Sequence, residues 1–180
     1  MTPLYSSLKE SDIAEVISFF DRWSGKNFYT PEELQYVFEL SNGASFIARV
    51  ENKIAGVRLT HAPGEWSNAY KQISPNKWKV PRAEVAYFKS LFVSSDFQKM
   101  GIGKTLSSMS IEVLKKLGAK AILCHSWAES PGNSSRIYLE RMGFEAVEEH
   151  KNFWLEVPYE CVRCKPRACT CTGVEMIKYI

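Results

Sequence analysis

The sequence predicts a mixed α/β fold, and three observations predict it. Stretches with helical periodicity alternate with stretches of strand composition along the chain. A strongly apolar strand, EVAYFKSLFV, runs into a turn with two glycines and then into a helix. The 180 residues, 45% hydrophobic and 24% charged, are ordinary globular composition and suffice for one core.

Taken in order, LYSSLKES reads as a short first strand. Ser11 then caps a helix whose Ile13, Val16, Ile17 and Phe20 recur at helical spacing. Thr30 caps a second helix with Pro31 in its first turn and Leu34, Val37 and Phe38 on its apolar face. Ser41-Asn42-Gly43 ends it. Residues 44–61 read as a hairpin turning at Glu51-Asn52-Lys53.

Residues 61–83 are polar and broken by Pro63, Pro75 and Pro81, which marks a long irregular segment. It carries Trp66, Tyr70 and Trp78 with Lys71, Lys77, Lys79 and Arg82 between them. Such interleaving suits single-stranded nucleic acid; a surface loop pinned by its aromatics is the favoured reading.

After EVAYFKSLFV and its glycine turn, Leu106, Met109, Val113, Leu114 and Leu117 line one side of a helix stopped by Gly118. AILCHSW is a short buried strand. Asn133 caps a helix through Met142, closed by Gly143. FEAVEEHKNFWLEVPY and GVEMIKYI are two last strands, paired as a hairpin.

A net charge of +3 implies no strong field for nucleic acid or membrane. No apolar run is long enough to span a bilayer, and MTPLYSSLKESD has no leader character. The expectation is a cytoplasmic protein, where disulfides are rare.

The most informative stretch is LFVSSDFQKMGIGKTL. A strand ends, a glycine turn follows and a helix begins, which presents free N–H groups to an anion. Gly101 and Gly103 permit positive φ or close approach, and Lys99 and Lys104 add charge. A nucleotide P-loop fails because position 98 is Gln, and the dinucleotide fingerprint fails because its third glycine falls on Leu106. The pattern that fits is Q-x-x-G-x-G, Gln98 to Gly103.

In that pattern and its flanks the chain resembles the GCN5-related N-acetyltransferases (GNAT), especially the ribosomal-protein alanine acetyltransferases. NSSRIYLERMGF is similar to the family's second signature, an Asn-led helix ending in Gly-Phe. The resemblance covers about residues 3–160 and the final strand. It implies a mixed, mostly antiparallel sheet of six or seven strands flanked by about four helices, in one domain over 1–180. It implies acetyl-CoA as cosubstrate and an amine-bearing small molecule or peptide as acceptor. Leu91, Phe92 and Val93 would offer backbone groups to the pantetheine arm. Gln98, Lys99, Met100, Gly101, Ile102, Gly103 and Lys104 would wrap the pyrophosphate, and Asn133 would touch the cofactor near its thiol end. A homodimer is left open.

Amine acetylation needs a deprotonated amine, donors for the thioester oxygen, and a proton for the departing thiolate. A strand N–H near Val93 is a candidate donor. The family's usual acid, a tyrosine four residues before the Gly of Gly-Phe, falls on Leu139; Tyr138 is one residue earlier, as acid or as a core aromatic over Met142. The glutamate common on the family's fourth strand falls on Tyr87, with Glu84 three residues away. His125 sits roughly where the ribosomal-protein enzymes carry a glutamate, and its type suits a base at neutral pH; a satisfied core histidine and a water chain are the alternatives. Cys124, on a buried strand, reads as packing.

Cys161, Cys164, Cys169 and Cys171 follow C-x2-C-x4-C-x-C inside the last hairpin. Four thiolates this close suit a tetrahedral zinc, with Arg163, Lys165 and Arg167 to offset charge; iron–sulfur and free or disulfide-bonded thiols are the alternatives. The expectation is a structural zinc knuckle that shapes the acceptor mouth. By strand direction, residues 61–83 fall at the far end of the sheet, away from the acceptor. Two other functions remain open at this level. A CoA-binding sensor would bind cofactor without transferring to any amine, and a zinc-dependent nucleic-acid module would bind single strands in a salt-sensitive way.

Overall fold

The computed structural model describes residues 2–66 and 72–180; Tyr70 and Lys71 of the basic-aromatic segment lie outside them. The strands are β1 (Leu4–Ser7), β2 (Phe46–Val50), β3 (Lys53–His61), β4 (Val85–Val93), β5 (Ala121–Trp127), β6 (Glu145–His150) and β7 (Gly173–Tyr179). They form one sheet in the order β1-β2-β3-β4-β5-β7-β6. The helices are α1 (Ile13–Trp23), α2 (Pro31–Leu40), α3 (Ile102–Lys116) and α4 (Ser134–Arg141). All pairings are antiparallel except β4 with β5. A parallel pair needs a crossover, and α3 supplies it.

Alternation along the strands divides the side chains between two faces. On one, Ala86, Phe88, Ile122, Cys124 and Met176 pack with Leu114 of α3 and Leu139 of α4. On the other, Ile47, Val57 and Leu59 pack with Val16, Phe20, Leu34 and Val37 of α1 and α2. Further along that second face, Tyr87, Leu123 and Ile177 lie under Trp66 and Trp78. Thus the described parts of the 61–83 segment form a lid on the sheet, pinned by Trp66 and Trp78.

Local signals explain several boundaries. Thr30 Oγ1 accepts from the Glu33 N–H, and the Glu33 carboxylate takes the Thr30 N–H, a reciprocal cap. Glu51 and Asn52 both have positive φ (49° and 64°), as a two-residue hairpin turn requires.

Four expectations are corrected. Ser11 lies within a 3₁₀ turn, and Asp12 takes the Lys9 N–H instead (2.9 Å). Leu117 is exposed, and the buried stripe of α3 is Ile102, Leu106, Ile111 and Leu114. Asn133 stands at the N-cap position of α4 with φ 54° but makes no side-chain cap; Ser130 Oγ accepts the Ser135 N–H (3.1 Å). The strand expected over 144–159 ends at His150, followed by turns and a left-handed Asn152. Among the described residues no helix is long and apolar enough to cross a membrane.

Candidate active site and metal centre

The site begins where two strands part. β4 and β5 pair only over Val85–Tyr87 and Ala121–Leu123. Beyond that, β4 continues beside β3 while β5 continues beside β7, so a wedge opens between them. Lys89 is bulged out of the β3–β4 ladder: Ser90 lies opposite Leu59 and Phe88 opposite Thr60. Leu91, Phe92 and Val93 follow, paired with β3 on one side only. Their β5-side edge has no strand partner among the described residues. An open edge of this kind can hydrogen-bond an extended, amide-bearing chain.

At the wide end lies the glycine turn. Lys99 (φ 66°) and Gly101 (φ 77°) are left-handed, and Gly101 is the N-cap of α3 with no side-chain cap. The first N–H groups of α3 therefore face outward unclaimed by a cap, with the positive end of the helix behind them. Gly103 is needed for close approach, because a Cβ there would lie 3.3 Å from Leu91 Cδ2 and 3.7 Å from Tyr138 Cε2. Gln98 Nε2 donates to the Val93 carbonyl (3.4 Å), which ties the turn to the end of β4. From Tyr87 to Val93 is roughly 20 Å of strand, so the wedge joins an anion cradle to an apex.

At the apex Tyr87 Oη and His125 Nδ1 are 2.9 Å apart. His125 Nε2 lies 3.2 Å from the Gln72 carbonyl, which can only accept. Nε2 therefore carries the hydrogen, and Nδ1 accepts from the tyrosine. Phe153 stacks on the imidazole at 4.1 Å, and Trp66 stacks on Tyr87 at 5.4 Å. Burial, then the neighbouring charge of His150, pull His125 down to about 3, so it is neutral near pH 7. Glu175, fully buried and in register with His125, is held by Trp78 Nε1 (2.6 Å) and His150 Nε2 (2.8 Å). The lid thus reaches the apex through Gln72 and Trp78, which corrects its expected place at the far end of the sheet.

Tyr138 is on the opposite face. Its hydroxyl donates to the Gly103 carbonyl (2.9 Å) and lies 2.7 Å from Ser107 Oγ. Leu139, at the family's acid position, is 6% exposed in the core. Glu84 sits in the turn before β4, on the closed side of the apex, where its carbonyl takes the Lys120 N–H (2.8 Å); the fold does not bring it to Tyr87 and His125. Cys124 is buried, its thiol pushed up to about 12 by burial, which suits packing rather than attack.

The sequence profile of the acetyltransferase (GNAT) family matches residues 12–144. The chain belongs to the GNAT acetyltransferase family. Solved structures share its fold. Ard1 from Thermoplasma volcanium is 11% identical with a TM-score of 0.71, covering 100% of this chain and 99% of its own. Arabidopsis thaliana Naa50, solved with the bisubstrate analogue CoA-Ac-MVNAL, is 12% identical with a TM-score of 0.70 and full coverage of both chains. The Escherichia coli ribosomal-protein-S18-alanine N-acetyltransferase is 15% identical with a TM-score of 0.66, covering 99% and 94%. No curated protein matches the chain in sequence.

The acetyltransferase also carries a thiol cluster between β6 and β7. Cys161, Cys164, Cys169 and Cys171 are free thiols whose sulfurs lie within 4.8 Å of one another. The Cys161–Cys171 and Cys164–Cys171 separations are 3.9 and 3.6 Å. Four sulfurs about 2.3 Å from one tetrahedral zinc stand about 3.8 Å apart, so the set fits a single ion. Arg163 Nη1 reaches Cys171 Sγ at 3.8 Å; Lys165 and Arg167 are exposed. A Thr170 N–H holds Cys164 down at about 7, while burial pushes Cys169 up to about 12. A cation is what allows all four to ionise together.

The cluster touches the apex on one side and α1–α2 on the other. The Phe153 N–H donates to the Cys171 carbonyl (3.0 Å), and Phe153 is the ring stacked on His125. Thr172 N donates to both Glu129 carboxylate oxygens (3.1 and 3.0 Å). Tyr159 packs on Phe28 at 4.4 Å.

Three residues of the site were not read from the sequence as such. Tyr87 was seen only as a missing acid; its hydroxyl proves to be the partner of His125. Phe153 and Glu175 lay in stretches read as plain strand. Charge at the centre of GVEMIKYI was the one available signal for Glu175, since a buried strand rarely carries an unpartnered carboxylate.

Proposed function

We propose that this acetyltransferase moves an acetyl group from acetyl-CoA directly to an amine, within a ternary complex and without an acyl-enzyme. The observation that carries the reading is the wedge itself: an open strand edge with an uncapped helix N-terminus at one end and the hydrogen-bonded Tyr87 and His125 at the other. Leu91, Phe92 and Val93 hold the pantetheine amides, residues 98–104 the pyrophosphate, and Asn133 the approach to the thiol end.

The acceptor arrives on the face of α1, α2 and the lid. An ammonium there, with an ordinary pKa of about 8 for an α-amine or about 10.4 for a lysine, loses its proton to bulk solvent along water held by the Tyr87 hydroxyl, which neutral His125 keeps oriented by accepting its hydrogen. The freed lone pair attacks the thioester carbon, the C–N bond forms, and the C–S bond breaks. Tyr138, on the other face, gives its hydroxyl proton to the departing sulfur and regains one from solvent. The two proton transfers thus lie on opposite faces of the sheet, and the thioester lies in the gap between them. Zinc is the ion that Cys161, Cys164, Cys169 and Cys171 would hold, and its contribution is to staple the β6–β7 connection beside the acceptor mouth. Naa50 bound to a CoA–peptide analogue and the Drosophila melanogaster polyamine N-acetyltransferase frame the acceptor class as peptide or small amine. Cytoplasmic placement belongs to the same reading.

The test is mass spectrometry of acetyl transfer to a panel of peptide α-amines, lysines and polyamines, with free thiol measured in parallel. Transfer by the wild type, reduced about 10- to 100-fold in Tyr87→Phe with acetyl-CoA still bound, is the expected outcome. Acetyl-CoA binding with no transfer to any amine would replace the enzyme by a sensor.

A further inference from the structure

Arg58 is a buried cation with no carboxylate against it among the described residues. It lies on β3 in register with Leu91 and is 3% exposed. Its guanidinium rests on the Phe88 ring at 4.0 Å, and burial draws it below its ordinary pKa. Among the described residues no acid pairs with it, and its hydrogen bonds are Nε and Nη2 to Ser107 Oγ, at 3.2 and 2.8 Å. A ring face offsets only part of the cost of burying a charge. The guanidinium is therefore placed to favour negative charge that develops beside it.

The hydrogen bonds have one possible direction. Arginine only donates, so Ser107 accepts from it and spends its own hydrogen on Tyr138 Oη (2.7 Å). Tyr138 in turn donates to the Gly103 carbonyl (2.9 Å). The chain Arg58–Ser107–Tyr138 therefore points from a buried positive charge to the wall of the wedge, where Tyr138 stands beside Gly103 and Leu91.

We infer that Arg58, acting through Ser107 and Tyr138, is a positioning residue that stabilises the thiolate of departing CoA. The inference rests on the acetyltransferase reading above. When Tyr138 turns its hydrogen from the Gly103 carbonyl to sulfur, the negative charge left on its oxygen is met by the Ser107 hydroxyl and, behind it, the guanidinium. Charge-assisted hydrogen bonds are the strong ones, and a fixed buried cation does not have to reorganise as the charge develops.

The test compares binding of CoA and desulfo-CoA by calorimetry, at about pH 6.5 and at about pH 9.5, on either side of an ordinary thiol value of about 8.5. Wild type should prefer CoA by about tenfold at the higher pH and by less at the lower. Ser107→Ala and Tyr138→Phe should erase that preference while leaving desulfo-CoA affinity in place, and Ser107→Thr should restore it. If Arg58→Met does not fold, the two smaller variants decide the matter alone. Equal weakening of both ligands in Ser107→Ala would make the chain merely structural and overturn the inference. So would a wild type that binds both ligands alike. Failure of the wild type to bind either ligand would instead overturn the acetyltransferase reading.

Discussion

Two buried histidines should make this protein acid-labile. His61 on β3 is 3% exposed, and neither ring nitrogen has a partner among the described residues. Burial, then the nearby charge of Lys89, lower it to about 4. His125 is lowered to about 3, chiefly by burial. Both start from 6.5 in the unfolded chain. A histidine depressed on folding binds its proton more readily when unfolded, so its contribution is intact above 6.5. It is lost as pH falls from 6.5 toward the folded value. Going from about pH 7 to about pH 5 costs about 2 kcal/mol for each, or about 4 kcal/mol together. For a chain of this size that is roughly 8–15 °C in Tm. The assay is a thermal melt at both pH values for wild type, His61→Leu and His125→Asn. Each variant should recover about half of the pH-dependent drop, whatever its own baseline. Parallel Tm–pH lines for all three proteins would show that neither ring is held neutral by burial, and the description of the apex would fall with it.

Other perturbations address the remaining parts. If the four thiols hold zinc as proposed, chelation, or Cys164→Ser, should lower Tm, and hydrogen exchange at the Phe153 amide, bonded to the Cys171 carbonyl, should quicken; unchanged exchange and stability would detach the thiol cluster from the proposed acceptor mouth. Gly173→Ala places a Cβ 2.6 Å from Phe153 Cγ, so the ring must leave its stack on His125, and kcat should fall with little change in the acetyl-CoA KM. Gly101→Ala finds open space but is strained by about 1–2 kcal/mol at φ 77°; the free turn should relax out of that conformation, and restoring it for the cofactor should raise the acetyl-CoA KM about five- to thirtyfold in steady-state kinetics.

The fold was legible where chemistry is local. The Thr30 cap, the Glu51-Asn52 turn and the glycine turn before α3 are each settled by a few neighbouring residues, and the structure keeps all three. Boundaries that depend on tertiary contacts were not. FEAVEEHKNFWLEVPY has strand composition throughout, yet β6 stops at His150 because Phe153 turns inward onto His125. Leu117 has the right spacing for the buried stripe of α3, but it stands at the C-cap, where the chain turns away from the sheet. The 61–83 segment was read as a loop pinned by aromatics, which is what Trp66 and Trp78 do. Strand direction says where the segment starts and not where its tryptophans find hydrogen-bond acceptors, here the Val85 carbonyl and Glu175, so it does not locate the lid.

The candidate site divides along the same line. The proposed anion cradle, Gln98 to Lys104, is a contiguous motif that spacing alone nominates, and four cysteines in eleven residues announce themselves. The Tyr87–His125 contact is different, because it needs two residues from strands that are adjacent only after the chain has crossed over through α3. Tyr87 and His125 are 38 residues apart. What makes them a pair is that β4 and β5 separate just beyond Leu123: Tyr87 stands at the last closed rung, and His125 follows two residues later on the same face of β5. Sequence alone marked Tyr87 as a lost carboxylate and His125 as a lone base. The register turns that apparent deficit into a pair in which the hydroxyl donates and the imidazole, kept neutral by its burial, accepts.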